Sequence, residues 1–380
     1  MNELPLDRSL DGRTTLLDRV LDPQLMGRAE DLGHFLVVLE GADTGRVIEL
    51  GEASLAIGRS APCEVVLPDQ EVSRRHCSVQ LVGGAVMVTD HGSTNGTFID
   101  GLAVSAAAEL PVGAVLQVGR ELLKHERRSR REVHAKAELD RDLDRASRYV
   151  ESLLPPRLKD GPILADWIYL PSARLGGDVF GYHAFDERYF AVYLVDVSGH
   201  GAESAMHAVG IMNVLRSRAL PGVDFRDPAA VISRLNSMFP MEEHASMFFT
   251  IWYGVFDRER RLIDYCSAGH HPSYLRPLEH EPHVPLRTPN LAVGVMQDAS
   301  FVAASAEVPA GAVLYVFSDG VFEIVVEGGR RWELEDFVQV IAEPPLPEVG
   351  EPQRLYSRVR REALRSTFDD DFSLLTLTFA

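Results

Sequence analysis

The sequence predicts a multidomain chain: an all-β sandwich, then a helical linker, then an α+β domain. Three observations predict it. From His34 onward, short β-rich runs (HFLVVLE, RVIEL, LAIGR, VVLP, CSVQLV, AVMVTD, TFID, VLQVG) alternate with Gly, Pro, Asp and Asn, the spacing of a sandwich. Residues 121–154 contain no Gly or Pro and are dense in Arg, Glu, Ala and Leu, which favours one long helix. From Ile163 onward, apolar strand-like runs (FAVYLVDV, MFFTIWYGVF, LIDYCSAG, AVLYVFSDG, FSLLTLTF) mix with helical patterns over 202–219 and 228–239.

The expected boundaries are an N-terminal extension over 1–33, a β domain over 34–124, a linker over 125–155 and the α+β domain over 156–380. The extension has no clear period and scattered charge. In the linker Leu139, Leu143, Ala146, Val150 and Leu153 recur at alternating steps of four and three, an a/d stripe of about two heptads. So thin a stripe must be buried, either on the chain's own C-terminal domain or on a second copy in a parallel dimer. Pro155-Pro156 ends the helix. Pro344 to Pro352 is read as a surface loop.

The 380 residues, 46% of them hydrophobic, suffice for two or three packed domains. A formal net charge of −18 disfavours nonspecific binding to nucleic acid or anionic membrane. The Arg-rich stretch Arg127 to Arg131 is accordingly read as a solvated helix face. Cys63, Cys77 and Cys266 are odd in number and form no CxxC, so a reducing cytoplasm fits. The first residues lack an apolar signal core, and no run approaches the ~20 apolar residues of a membrane span.

Two sets of residues carry chemistry. In the β domain, Gly58-Arg59, Ser73-Arg74-Arg75-His76 and Ser93-Thr94-Asn95-Gly96-Thr97 each follow one strand-like run and precede another. Loops at one end of a sandwich can converge on a ligand. An Arg fork, a Ser hydroxyl and an Asn amide are suited to a phosphate and the peptide beside it. Alone, Asn95-Gly96 is an ordinary hairpin turn; the ordered set of three pieces is more specific. It resembles the forkhead-associated (FHA) domain over roughly residues 34–124. That resemblance implies a phosphothreonine-peptide site in which Arg59 and Ser73 contact phosphate, Arg74 and Thr94 flank it, and Asn95 holds the peptide backbone. His76 would brace the loops from behind.

In the C-terminal half, Asp178 follows Gly176-Gly177, Asp196 ends a strand before Val197-Ser198-Gly199-His200-Gly201, Asp319 lies in Phe317-Ser318-Asp319-Gly320, and Asp369-Asp370-Asp371 precede the last strand. Asp is disfavoured within strands, so an Asp closing an apolar strand suggests a carboxylate at the rim of a core. Several carboxylates at one rim repel, and divalent cations relieve that repulsion; oxygen-only ligands suit Mg²⁺ or Mn²⁺. Two such ions can activate water and clamp a phosphoryl group. Ser198 and His200 lack the GxSxG elbow of a serine hydrolase. His270 and His271 are read as packing or hydrogen-bonding residues of a hairpin.

This pattern, with Leu153-Leu154-Pro155 and Ser267-Ala268-Gly269-His270-His271-Pro272, resembles the metal-dependent type 2C (PPM) serine/threonine phosphatases, in their bacterial sporulation and stress-response (SpoIIE-like) branch. The resemblance covers about residues 145–380. It implies two central antiparallel sheets flanked by helices and two Mn²⁺ or Mg²⁺ ions. Asp196 would bridge both, the Val197 carbonyl and Asp178 would serve the second, and Asp319 and Asp370 would complete the first. Asp370 is chosen over its neighbours because Asp370-Asp371-Phe372-Ser373 best fits the closing motif. Gly181 departs from the branch, which often has an acidic residue there. The implied partners are a phosphorylated protein substrate, often a STAS-type anti-sigma-factor antagonist, a phosphothreonine protein at the FHA-like domain, and a second copy of the chain through the linker. The competing reading is a non-catalytic phosphopeptide-binding adaptor.

Overall fold

The computed structural model describes residues 31–278, 281–346 and 348–380; the extension expected over 1–33 lies, up to residue 30, outside them. The chain divides after Asp140 into two compact units.

The first unit is the sandwich. Its described strands are β1 (Leu32–Glu40), β2 (Val47–Leu50), β3 (Leu55–Gly58), β4 (Val65–Val66), β5 (Cys77–Val82), β6 (Ala85–Asp90), β7 (Thr97–Ile99), β8 (Leu102–Ala103), β9 (Ala108–Glu109), β10 (Val115–Val118) and β11 (Glu121–Ser129). They form two sheets, ordered β2-β1-β11-β10-β7-β8 and β4-β3-β5-β6-β9. Alternate residues of the strands, Leu36, Val38, Ile57, Val79, Val88, Leu116 and Leu123 among them, close the core between them.

β11 corrects the expected boundary. The segment from Glu121 was read as helix and the linker as starting at 125, but Glu121–Ser129 pairs with β1 along its length and with β10. Its burial alternates, with Glu121, Leu123 and His125 inward. Two of those three inward residues are polar, so the period of two is invisible as hydrophobicity. Pairing on both sides overrides the helical propensity of the segment. Helix α1 (Arg130–Leu153) follows with no residue between.

The second unit contains β12 (Ile163–Leu170), β13 (Asp178–Ala184), β14 (Tyr189–Val197), α2 (Ala202–Ser217), α3 (Pro228–Met238), β15 (Phe249–Asp257), β16 (Leu262–Ala268), β17 (Ser273–Arg276), β18 (Val284–Leu286), β19 (Ala304–Glu307), β20 (Ala312–Phe317), α4 (Leu334–Ala342), α5 (Glu351–Glu362) and β21 (Phe372–Phe379). Two antiparallel sheets, β12-β21-β20-β17-β18 and β13-β14-β15-β16-β19, face each other. Phe180, Leu194, Trp252, Leu314 and Leu375 fill the space between them. α2 and α3 cover the outer face of one sheet, where Ile211, Met212 and Leu235 meet Val195 and Ile251. α4 and α5 cover the other, with Phe337 and Leu355 against Phe317 and Phe372. Burial on both faces explains why the central strands read as continuous apolar runs.

The apolar stripe of α1 takes the first of its two expected placements over its C-terminal half. Val150, with Leu143 and Ala146, packs on Leu175, Ala205 and Val209 of the same unit. Leu139 stays exposed. Val150→Asp would put a charge into this cluster and is expected to destabilise the second unit by roughly 2–4 kcal/mol. Urea unfolding measures it; an unchanged midpoint would mean that the helix is not seated there.

Candidate functional site

Two groups of side chains stand out, one in each unit. In the second, the β13–β14 ladder places Asp178 directly opposite Asp196. The preceding Gly177 is required by close approach, since a Cβ there would stand 2.8 Å from the Val197 carbonyl oxygen. Asp319 opens a single 3₁₀ turn after β20, and Asp370 stands just before β21. β20 and β21 are neighbours, so this second pair also comes together.

The electrostatics tie all four together. Burial raises the Asp178 carboxyl well above its ordinary range, and the charges of Asp196 and Asp371 push the same way. Burial also raises Asp196, followed by Asp319, Asp370, Asp371 and Glu323. Burial, Asp370 and Glu323 lift Asp319 to about 6. Partial loss of water, with the charge of Asp371, raises Asp370 as well, although its side chain still reaches solvent. Among the described residues no three His, Cys, Asp or Glu side chains stand close enough together to hold a metal ion as they are placed. The donor set nevertheless fits a hard divalent cation: every member is a carboxylate, and the buried Asp178 Oδ2 has no hydrogen-bond partner.

Two members of the cluster were missed in the sequence. Glu323 stands one turn beyond Asp319, its amide donating to the Asp319 carbonyl (2.8 Å); its four-residue spacing from Asp319 was the available signal. Asp371 was set aside in favour of Asp370. The structure leaves Asp370 exposed and buries Asp371. His270 is buried and His271 half-buried, and removal from water lowers both imidazoles, His270 to a pKa of about 4. Each Nδ1 meets the carbonyl of the next residue, at 2.8 and 3.0 Å. His271 lies against the rings of Phe317 and Phe322.

In the first unit, Arg59, Ser73, Arg74, Thr94 and Asn95 line one cavity of about 500 Å³. Arg59 follows β3, Ser73 and Arg74 precede β5, and Thr94 and Asn95 lie between β6 and β7. The Arg59 amide donates to the Ser73 carbonyl (3.0 Å) and the Thr94 amide to Ser73 Oγ (3.0 Å). The Asn95 side-chain amide donates to the Glu71 carbonyl (2.8 Å). Behind them His76 is fully buried; its Nδ1 accepts from the Ser73 amide (3.1 Å) and its Nε2 meets the Gly96 carbonyl (3.1 Å). The loops are therefore pinned to one another before any ligand arrives. Gln70, Glu71 and Arg75 also line the cavity; Arg75 lies within the second motif but was given no role, and Gln70 and Glu71 belong to no motif.

Comparison with known proteins places both halves. The family model described as Stage II sporulation protein E (SpoIIE) matches residues 186–380, and one described as the cytoplasmic domain of an inner membrane component of T3SS matches residues 37–127. Phosphoserine phosphatase RsbP of Bacillus subtilis is 25% identical over 239 residues, 62% of this chain and 57% of that protein. FHA domain-containing protein FhaB of Mycobacterium tuberculosis is 39% identical over 91 residues, 24% of this chain and 59% of that protein. The chain thus spans less than two thirds of the length of either relative. The SiaA-PP2C domain of Pseudomonas aeruginosa superposes with a TM-score of 0.57 at 20% identity, covering 65% of this chain and 99% of that domain, which shows a PP2C-type fold. With the SpoIIE model matching more than half of its length, this chain belongs to the SpoIIE family, and it carries an FHA-like domain ahead of the matched region.

Proposed function

We propose that the chain is a metal-dependent protein phosphatase that removes phosphate from serine or threonine of a partner protein, and that its FHA-like domain binds phosphothreonine. The observation that carries this reading is the convergence of Asp178, Asp196, Asp319 and Asp370, each with its carboxyl raised by full or partial burial and by its neighbours. Those four and the Val197 carbonyl would hold two Mn²⁺ or Mg²⁺ ions. Bound there, such ions supply an activated water and a clamp for the phosphoryl group. The chain's own part is to hold the carboxylates in register at the ends of two strand pairs, β13–β14 in one sheet and β20–β21 in the other. At the other site, Arg59 would meet a phosphate with a charge-assisted hydrogen bond, and the pinned Ser73–Thr94 pair would face it with hydroxyls. Among the described residues no helix is long and apolar enough to cross a membrane.

The test has two readouts. Mn²⁺ should switch on hydrolysis of p-nitrophenyl phosphate, and it should raise the melting temperature of the second unit. For a carboxyl whose folded pKa is raised, the stabilising contribution is present at low pH and is lost as pH rises through that value. At pH 7.5 the charged cluster therefore weakens the fold, and cation binding offsets this by about 2.7 kcal/mol at a hundredfold excess over Kd. Near pH 5, below the Asp319 value of about 6, protons compete and the thermal shift should shrink. Hydrolysis and melting both indifferent to Mn²⁺ would leave the adaptor reading standing.

A further inference from the structure

Asp370 and Asp371 are chemically identical neighbours, yet their surroundings differ completely. Asp371 is 5% exposed. Its Oδ1 accepts from the Ser172 amide (2.7 Å) and the Ser172 hydroxyl (3.0 Å). Its Oδ2 accepts from the Gly177 amide (2.6 Å) and, more weakly, the Asp178 amide (3.3 Å). A carboxylate offers about four acceptor positions, so this one is saturated by the chain itself. A Cβ on Gly176 would collide with the same carboxylate. Asp370, by contrast, is exposed and accepts from the Asp371 amide (2.7 Å).

A second tie joins the other ligand-bearing segment. The Ser318 hydroxyl donates to the Asp371 carbonyl (2.9 Å) and accepts from the Ser373 amide (3.1 Å). Ser318 immediately precedes Asp319. One buried residue therefore contacts the loop leading into Asp178, the strand end carrying Asp319, and, by the chain itself, Asp370.

We infer that Asp371 is a positioning residue: its carboxylate is spent on folding the Ser172–Asp178 loop around itself, so that Asp178 is presented to the cation without Asp371 ligating it. This inference rests on the proposed metal site. Asp371→Asn makes the distinction because it preserves size. An amide has one acceptor oxygen, so its NH₂ group would face either the Ser172 donors or the Gly177 and Asp178 amides. The loop loses its hold while Asp370 and Asp319 stay in place.

The experiment is calorimetric titration of the full chain with Mn²⁺, alongside p-nitrophenyl phosphate hydrolysis over a range of Mn²⁺. Asp371→Asn is expected to bind Mn²⁺ on the order of 10- to 100-fold more weakly, the scale of losing a group that orients a metal ligand, with turnover recovering as Mn²⁺ is raised. Ser172→Ala, which removes one of the four bonds, should shift affinity in the same direction by less. Asp370→Asn should not be rescued by excess Mn²⁺. A folded Asp371→Asn with wild-type Mn²⁺ affinity overturns the inference, as does one whose lost turnover no Mn²⁺ concentration restores, since that is the behaviour of a ligand. If Asp371→Asn does not fold, Ser172→Ala decides, and wild-type affinity in it overturns the inference. A wild-type chain that binds no Mn²⁺ fails at the metal site itself, and the inference falls with it.

Discussion

Asp196→Asn is expected to reduce Mn²⁺-dependent phosphoester hydrolysis by at least ~10²-fold while leaving the fold intact. Asp196 is where the repulsions meet: Asp319, Asp370, Asp371 and Glu323 all raise its carboxyl. A cation placed among these groups draws on the Asp196 charge more than on any peripheral one. Removing one preorganised charged or polar group from a reaction centre typically costs ~3–4 kcal/mol of barrier, or roughly 10²–10³ in rate. The fold should not suffer, because the same substitution removes a buried like charge from a repelling cluster. Thermal unfolding in the absence of metal should therefore show a midpoint at or above that of the wild type. Near-normal turnover in this variant would remove the metal-centred reading of the site.

Arg59→Ala should weaken phosphothreonine-peptide binding by about 1.5–3 kcal/mol, the worth of a hydrogen bond to a charged group, or about 10- to 150-fold in Kd. The cavity wall should survive, because Arg59 joins its neighbours through its main-chain amide, which the substitution keeps. Calorimetry with a matched pair of peptides, phosphorylated and not, separates the charge contribution from the rest. Equal binding of the two peptides by the wild type would end the claim that this cavity reads phosphate.

Much of the fold was legible in the sequence where burial is simple. Strands β14, β15, β20 and β21 are buried on both faces and announce themselves as apolar runs, and α2 and α3 fall within two residues of their expected limits. β11 was not legible, since its inward positions include Glu121 and His125 and only pairing with β1 and β10 makes it a strand. The candidate ligands were visible one at a time, as Asp residues closing apolar strands. Their meeting depends on register: a one-residue slip of β13 against β14 would turn Asp178 to the opposite face. The motif favours Asp370, but sequence gives no sign that Asp371 is buried, because its partners are donors supplied from about 200 residues away.

Gly181 stands where the resemblance implies an acidic residue, and its cross-strand partner is Tyr193. The Tyr193 ring lies where a Gly181 side chain would go. That ring is 2% exposed and stacked on Tyr253, so it has no room to swing aside. The two positions thus form an epistatic pair: an acid cannot be placed at 181 until 193 has become small, and a small 193 beside Gly181 leaves a hole in the core. Each single step is disfavoured. A descendant lineage would keep the glycine for as long as it kept the tyrosine.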